Sequence, residues 1–230
     1  KINEEDFNKF SNTKRNGKFL TYNELFKEVT KFVDIPILTL KIMSTIESDI
    51  GRNKGTLSDG MNNFGFVGLM QFGRSATMDV INQVENIIFI DKSLEFFAKV
   101  DENNKKLSIP GIDKNKQWSK DPNLNNKNTN SMFDDYINTV ATSFLAKKNI
   151  NFLKSNINNT IDVYLSHQQG AGGIKKIKDN SIEEIDNNAK NNLPPINKGI
   201  KFNEQWYIGW AGTIDGIGEQ IDSNYKSSIV

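Results

Sequence analysis

Apolar residues recur every three or four positions over most of the chain, the period of amphipathic helices. Thr21-Tyr22-Asn23-Glu24 has the Thr-x-x-Glu form of a capping box, and Leu25, Phe26, Val29, Phe32 and Val33 follow at helical spacing. A second helix is predicted from Pro36 to near Gly51, since proline suits a first turn and glycine follows a last one. A third runs from Ser75 toward Val84. The longest pattern opens at Ser131 and carries Phe133, Tyr136, Ile137, Val140, Phe144 and Leu145. A shorter one covers Thr160 to Gln169 and is ended by Gly170. Strand composition is confined to residues 86–90 and 206–210. Residues 101–130 and 179–205 are polar and read as long surface excursions. The expected fold class is therefore mainly α with at most a small β element. Residues 1–20 read as an N-terminal extension and 21–230 as a single domain, with a variable polar loop at 101–130 and a C-terminal segment at 179–230.

Composition narrows the chemistry. The 230 residues suffice for one well-cored domain. Lys and Arg total 29 against 28 Asp and Glu, so the net charge of +1 gives no basic field for nucleic acid. No apolar run approaches the ~20 residues that span a bilayer. With no cysteine, disulfides, Cys-ligated zinc, iron–sulfur clusters and thiol catalysis are excluded, and a single histidine excludes a multi-histidine metal site. Carboxylates, hydroxyls, amides and at most one imidazole remain, and no metal or organic cofactor is expected. The chain begins at Lys1 with no targeting segment, which reads as a processed start or a domain cut from something longer.

On a helix over residues 36–50, Glu47 shares a face with Leu40, Met43, Ser44 and Ile50. Its carboxyl projects from the apolar side near the helix C-terminus. Desolvation and the partial negative charge of the terminal carbonyls both disfavour ionisation there, as a general acid requires. The plainer alternative is a Glu that reaches solvent at the helix edge or pairs with a lysine. Spacing alone leaves both open.

Glu47-Ser48 at a helix end, a turn, and then Gly68-Leu69-Met70-Gln71 resemble the soluble lytic transglycosylase domain, a lysozyme-like fold. The third block, Tyr164-Leu165-Ser166-His167-Gln168-Gln169-Gly170-Ala171-Gly172-Gly173, is similar to the version in phage-encoded members, including endolysins and virion-associated lysins. His167 and Gln168 stand where most members have Tyr and Asn. The resemblance spans residues 36–178, and the three short blocks in this order carry it.

The resemblance implies Glu47 as sole catalytic acid and base, with Ser48, Gly68, Leu69, Met70, Gln71, Tyr164, His167 and Gln168 binding substrate. It further implies cleavage of peptidoglycan glycan strands between N-acetylmuramic acid and N-acetylglucosamine, leaving a 1,6-anhydro ring. The site of action would be the bacterial cell wall, for an endolysin or a wall-drilling module with other domains of a larger phage protein. Two alternatives stand beside it: lysozyme-type hydrolysis of the same bond, and a non-catalytic module that binds glycan or scaffolds a virion.

Several residues carry readings of their own. Gly65 and Gly68 let backbone approach a sugar closely, and Gln71 offers a donor and an acceptor. Met70 is a core filler or a cleft lining. His167 is a surface or core residue, or a hydrogen-bond partner of sugar or of Glu47. Tyr164 borders a cleft or fills the core. Trp206, Tyr207 and Trp210 read first as core closure and second as a stacking platform. Lys175, Lys176 and Lys178 read as a solvated face before a contact for anionic wall polymers. A hydrolase of the usual kind needs a second carboxylate. Asp49 faces away from Glu47, Asp59 is the nearby candidate, Asp134 suits helix capping and Asp135 is expected exposed.

Overall fold

The computed structural model describes residues 2–51, 66–73, 76, 79–80, 87–91, 99–101, 106–111, 131–153, 160–179, 181, 209–210 and 212–214. The chain divides into two compact units, Asn3–Lys147, and Lys148–Val230 with Lys1–Ile2. The described residues are mostly helical. No described helix is long and apolar enough to cross a membrane.

In the first unit a 3-10 helix, Glu4–Asn8, leads into strands β1 (Phe10–Arg15) and β2 (Lys18–Thr21), which pair antiparallel. Asn16 and Gly17 join them at φ 51° and 77°. Two left-handed residues in a two-residue turn match the twist of the flanking strands. Helix α1 (Tyr22–Phe32) starts at the capping box: Thr21 Oγ1 accepts the Glu24 amide and Glu24 Oε2 accepts the Thr21 amide, at 3.2 and 3.0 Å. Its apolar stripe of Leu25, Phe26, Val29 and Phe32 is buried as the spacing predicts. Phe7 is 0% exposed with its ring centroid 6.1 Å from that of Phe26. Burial of such a ring contributes roughly 1.5–3 kcal/mol. Residues 3–21 thus supply part of this unit's core.

Helix α2 (Ile37–Ser48) begins after Pro36 and buries Leu40, Ile42, Met43 and Ser44. It ends at Ser48, short of Gly51, and Asp49, Ile50 and Gly51 follow in left-handed conformation. Ala76, Asp79 and Val80 are helical, inside the helix expected at 75–84, whose other residues lie outside those described. Strands β3 (Ile87–Asp91), β4 (Lys99–Asp101) and β5 (Lys106–Gly111) form a sheet in the order β3-β5-β4, with β3 parallel and β4 antiparallel to β5. Strand β3 falls where strand composition was read. Strand β5 corrects the surface excursion expected at 101–130: Lys106-Leu107-Ser108-Ile109 alternates with period two, over too few residues to stand out from its polar flanks.

A 3-10 turn, Ser131–Phe133, precedes helix α3 (Asp135–Leu153). Asp134 caps it, its Oδ1 accepting the Ile137 amide at 3.0 Å. Asp135 is not the exposed neighbour that sequence suggested; it is 0% exposed. Its Oδ2 accepts the Asn12 amide at 2.9 Å, and its own amide donates to Asn12 Oδ1 at 2.8 Å. Thr13 joins this cap, donating its hydroxyl to Asp134 and accepting the Tyr136 amide. Strand β1 thus serves the orphan amides of the helix start, and that contact buries Asp135.

In the second unit, helix α4 (Thr160–Lys178) is broken at Gly170, where φ is 73° and ψ 168°. The break stands where the sequence ended its helix, and Ala171–Lys178 resumes it. Asp162, 1% exposed, pairs with Lys178 Nζ at 3.1 Å. Asn149 donates to the Ser166 carbonyl at 3.4 Å. Gly209 and Trp210 are helical, which corrects the strand expected at 206–210; Trp206 and Tyr207 lie outside the described residues.

Candidate functional site

Helix α2 delivers Glu47 and Ser48 in its last turn. The helix closes as the Asp49 and Ile50 amides donate to the Thr45 and Ser44 carbonyls, at 3.1 and 3.0 Å. Ile50 at φ 56° is β-branched, for which the left-handed region is a strained choice. The Ser48 hydroxyl donates to the Leu69 carbonyl at 2.7 Å and accepts the Gly51 amide at 2.9 Å. One buried side chain thus ties the Glu-Ser helix end to the Gly-Leu-Met-Gln block.

That block is a tight loop closed by paired backbone bonds between Val67 and Phe72, at 3.2 and 2.8 Å. Both the amide and the side-chain Nε2 of Gln71 donate to the Gly68 carbonyl, at 3.1 and 2.9 Å. Gly68 has φ 79°, and a Cβ there would lie 2.6 Å from the Met132 carbonyl oxygen and also against the Asn138 amide. The close approach that glycine permits is made to the protein's own helix α3.

Asn138 of α3 holds the loop. Its Oδ1 accepts the Met70 amide at 2.8 Å, while its Nδ2 donates to the Val67 and Met132 carbonyls at 3.1 and 2.9 Å. Reversing the amide would set donor against donor and oxygen against two carbonyls, so the network fixes its orientation. Asn138 is 0% exposed. Sequence reasoning passed over it between Ile137 and Val140; the available signal was an amide inside an apolar helical stripe, where a buried polar group must find partners.

The expected residues therefore divide in role. Ser48, Leu69 and Met70 are essentially inaccessible, Gln71 is 8% exposed, and Gly68 is buried. Only Glu47 of this group is half-exposed. The buried ones build the support, and Glu47 is the more accessible one. Gly65 and Asp59 lie outside the described residues.

Tyr164, His167 and Gln168 belong to the second unit, on α4. Tyr164 is 1% exposed, with its ring centroid 5.2 Å from that of Trp210, itself buried. Core filling is the reading that fits both. His167 and Gln168 are half-exposed, and the Gln168 Oε1 is buried with no hydrogen-bond partner among the described residues. Lys175 and Lys176 are exposed, whereas Lys178 is engaged by Asp162.

Among the other described carboxylates of the first unit, Asp49 is exposed, and Asp134 and Asp135 are committed to the start of α3. Burial raises the Asp134 pKa above 3.8, opposed by hydrogen bonds from the Ile137 amide and the Thr13 hydroxyl. Compared with protein-family models and with curated proteins, the chain matches none.

Proposed function

We propose that this chain is a lytic transglycosylase of lysozyme-like fold that cuts peptidoglycan glycan strands, with Glu47 as its one general acid and base. The observation that carries the reading is the Ser48–Leu69 hydrogen bond. It joins two motif blocks twenty-one residues apart and leaves Glu47 as the accessible member of the cluster. Glu47 donates its proton to the glycosidic oxygen between N-acetylmuramic acid and N-acetylglucosamine, and the substrate's acetamido group stabilises the sugar cation. The carboxylate so formed takes the proton of the muramoyl C6 hydroxyl, whose oxygen closes the 1,6-anhydro ring. The acid is regenerated. The place of action in this reading is the cell wall, for a phage endolysin or a virion-borne module.

Lysozyme-type hydrolysis of the same bond is the second reading; Asp134 and Asp135 are occupied as helix-start acceptors, and Asp59, the second carboxylate that the sequence offers for it, lies outside the described residues. The test is turbidity loss on purified sacculi. Wild type is expected to clear them, and Glu47→Gln to lose at least ~100-fold in rate, the scale of general acid catalysis. Clearing by both removes Glu47 from the chemistry; clearing by neither points to a binding module.

A further inference from the structure

One concave surface of the first unit shares no residue with the Glu47 cluster. It has a volume of about 920 Å³ and is lined by β1, β2, their turn and α1, including Phe10, Arg15, Phe19, Glu24 and Glu28. Phe10 and Phe19 are 69% and 46% exposed. Only four large apolar side chains among the described residues are exposed, and two of them meet here. Isolated exposed rings need no explanation, but two lining one cleft mark a contact surface.

The polar lining is held in place. The Arg15 guanidinium carbon lies 4.5 Å from the Tyr136 ring centroid, and its Nε is 3.6 Å from Glu28 Oε2. Glu24 is held by the capping box. Lys14 Nζ sits 4.7 Å from the Phe19 centroid, on one face of that ring. Arg15 and Lys18 balance Glu24 and Glu28 across the cleft, so no net field selects a polyanion or polycation. Four charged chains in the lining also differ from a protein–protein interface core, which is depleted in Lys and Glu. Fixed carboxylates accept from hydroxyls, and aromatic faces cover C–H surface. A pyranose offers that combination: an apolar face and a rim of hydroxyls. The volume suits an oligosaccharide at the upper end of the roughly 300–1,000 Å³ of ligand sites.

We infer that the cleft between the N-terminal hairpin and α1 is an accessory glycan-binding site, with Phe10 and Phe19 as stacking platforms and Glu24 and Glu28 as hydroxyl partners, Arg15 holding Glu28 in place. Peptidoglycan as the natural glycan rests on the Glu47 reading; the saccharide chemistry of the cleft does not. The experiment is binding of the full chain carrying Glu47→Gln to purified sacculi by co-sedimentation, and to chitotetraose by calorimetry. Against that parent, Phe10→Ala and Phe19→Ala are each expected to weaken binding about threefold to tenfold, the worth of an aromatic contact. Their combination should weaken it further, while Phe10→Tyr keeps parental affinity. Phe152→Ala removes a ring 73% exposed elsewhere and is the matched control, with no change expected. Parental affinity in the double alanine variant overturns the proposal. So does an equal loss with Phe152→Ala, or a change in self-association with glycan binding intact. Glu47→Gln clearing sacculi at the wild-type rate would sink the catalytic reading and leave these binding outcomes to be judged alone.

Discussion

Gly68 and Gly170 adopt nearly the same left-handed φ, 79° and 73°, in very different settings. A Cβ on Gly68 would strike the Met132 carbonyl and the Asn138 amide; one on Gly170 would meet nothing within 4 Å. Both glycines sit in the sequence blocks that suggested a function. The first is locked inside a hydrogen-bonded support, and the second is an exposed break between two helical runs. A shared backbone angle therefore says little about energetic weight. What surrounds it decides.

The largest expected effect comes from removing the support itself. Asn138→Leu would remove the hydrogen bonds to the Met70 amide and to the Val67 and Met132 carbonyls, and should destabilise by about 4 kcal/mol in denaturant unfolding. Asn138→Ala avoids the bulk and should fall only slightly short of it. Gly68→Ala follows at about 3 kcal/mol, combining left-handed strain with overpacking. Gly170→Ala should cost about 1.5 kcal/mol from strain alone, since φ 73° with ψ 168° is a conformation that only glycine adopts readily. Equal losses at the two glycines would break the comparison. Ser48→Ala, which frees the Leu69 carbonyl and the Gly51 amide, belongs between them at about 2 kcal/mol, and should lower sacculus clearing beyond any loss of folded protein.

Much of the scaffold was legible because its signals are local. Thr21 and Glu24 state the capping box in four residues, Asp134 announces the α3 cap, and Gly170 marks its break. The hairpin is equally legible in principle, since Asn16-Gly17 between short runs is a strong two-residue turn signal; it is masked because the buried positions of β1, Ser11 and Thr13, are polar while Phe10 is exposed. Asp135 was misjudged for a different reason. Its burial depends on Asn12, 123 residues away, and no local pattern encodes that. Asn138 is the same case, with partners near residues 67–70 as well as at Met132. The Ser48–Leu69 bond also lay beyond reach: both blocks were read as motifs, but only the fold brings them into contact.

The smallest predicted effect is on pH. Burial raises the Asp134 pKa in the folded state above its unfolded value of 3.8. The folded protein therefore binds that proton at higher pH than the unfolded chain does. The resulting stability is fully present below pH 3.8 and is lost as pH rises through the folded value. In paired unfolding curves, wild type should gain relative to Asp134→Asn as pH falls toward that range. A gain in the opposite direction would mean that the cap hydrogen bonds outweigh burial.

We place the proton transfers of strand cleavage on Glu47, beside the loop that Ser48 and Asn138 hold. Mass spectrometry of the muropeptides released from purified sacculi tests it most directly, with wild type and a Glu47→Gln protein of matched melting temperature. Wild type should release products ending in 1,6-anhydro-N-acetylmuramic acid and Glu47→Gln none. Anhydro products appearing at the wild-type rate from Glu47→Gln would contradict it.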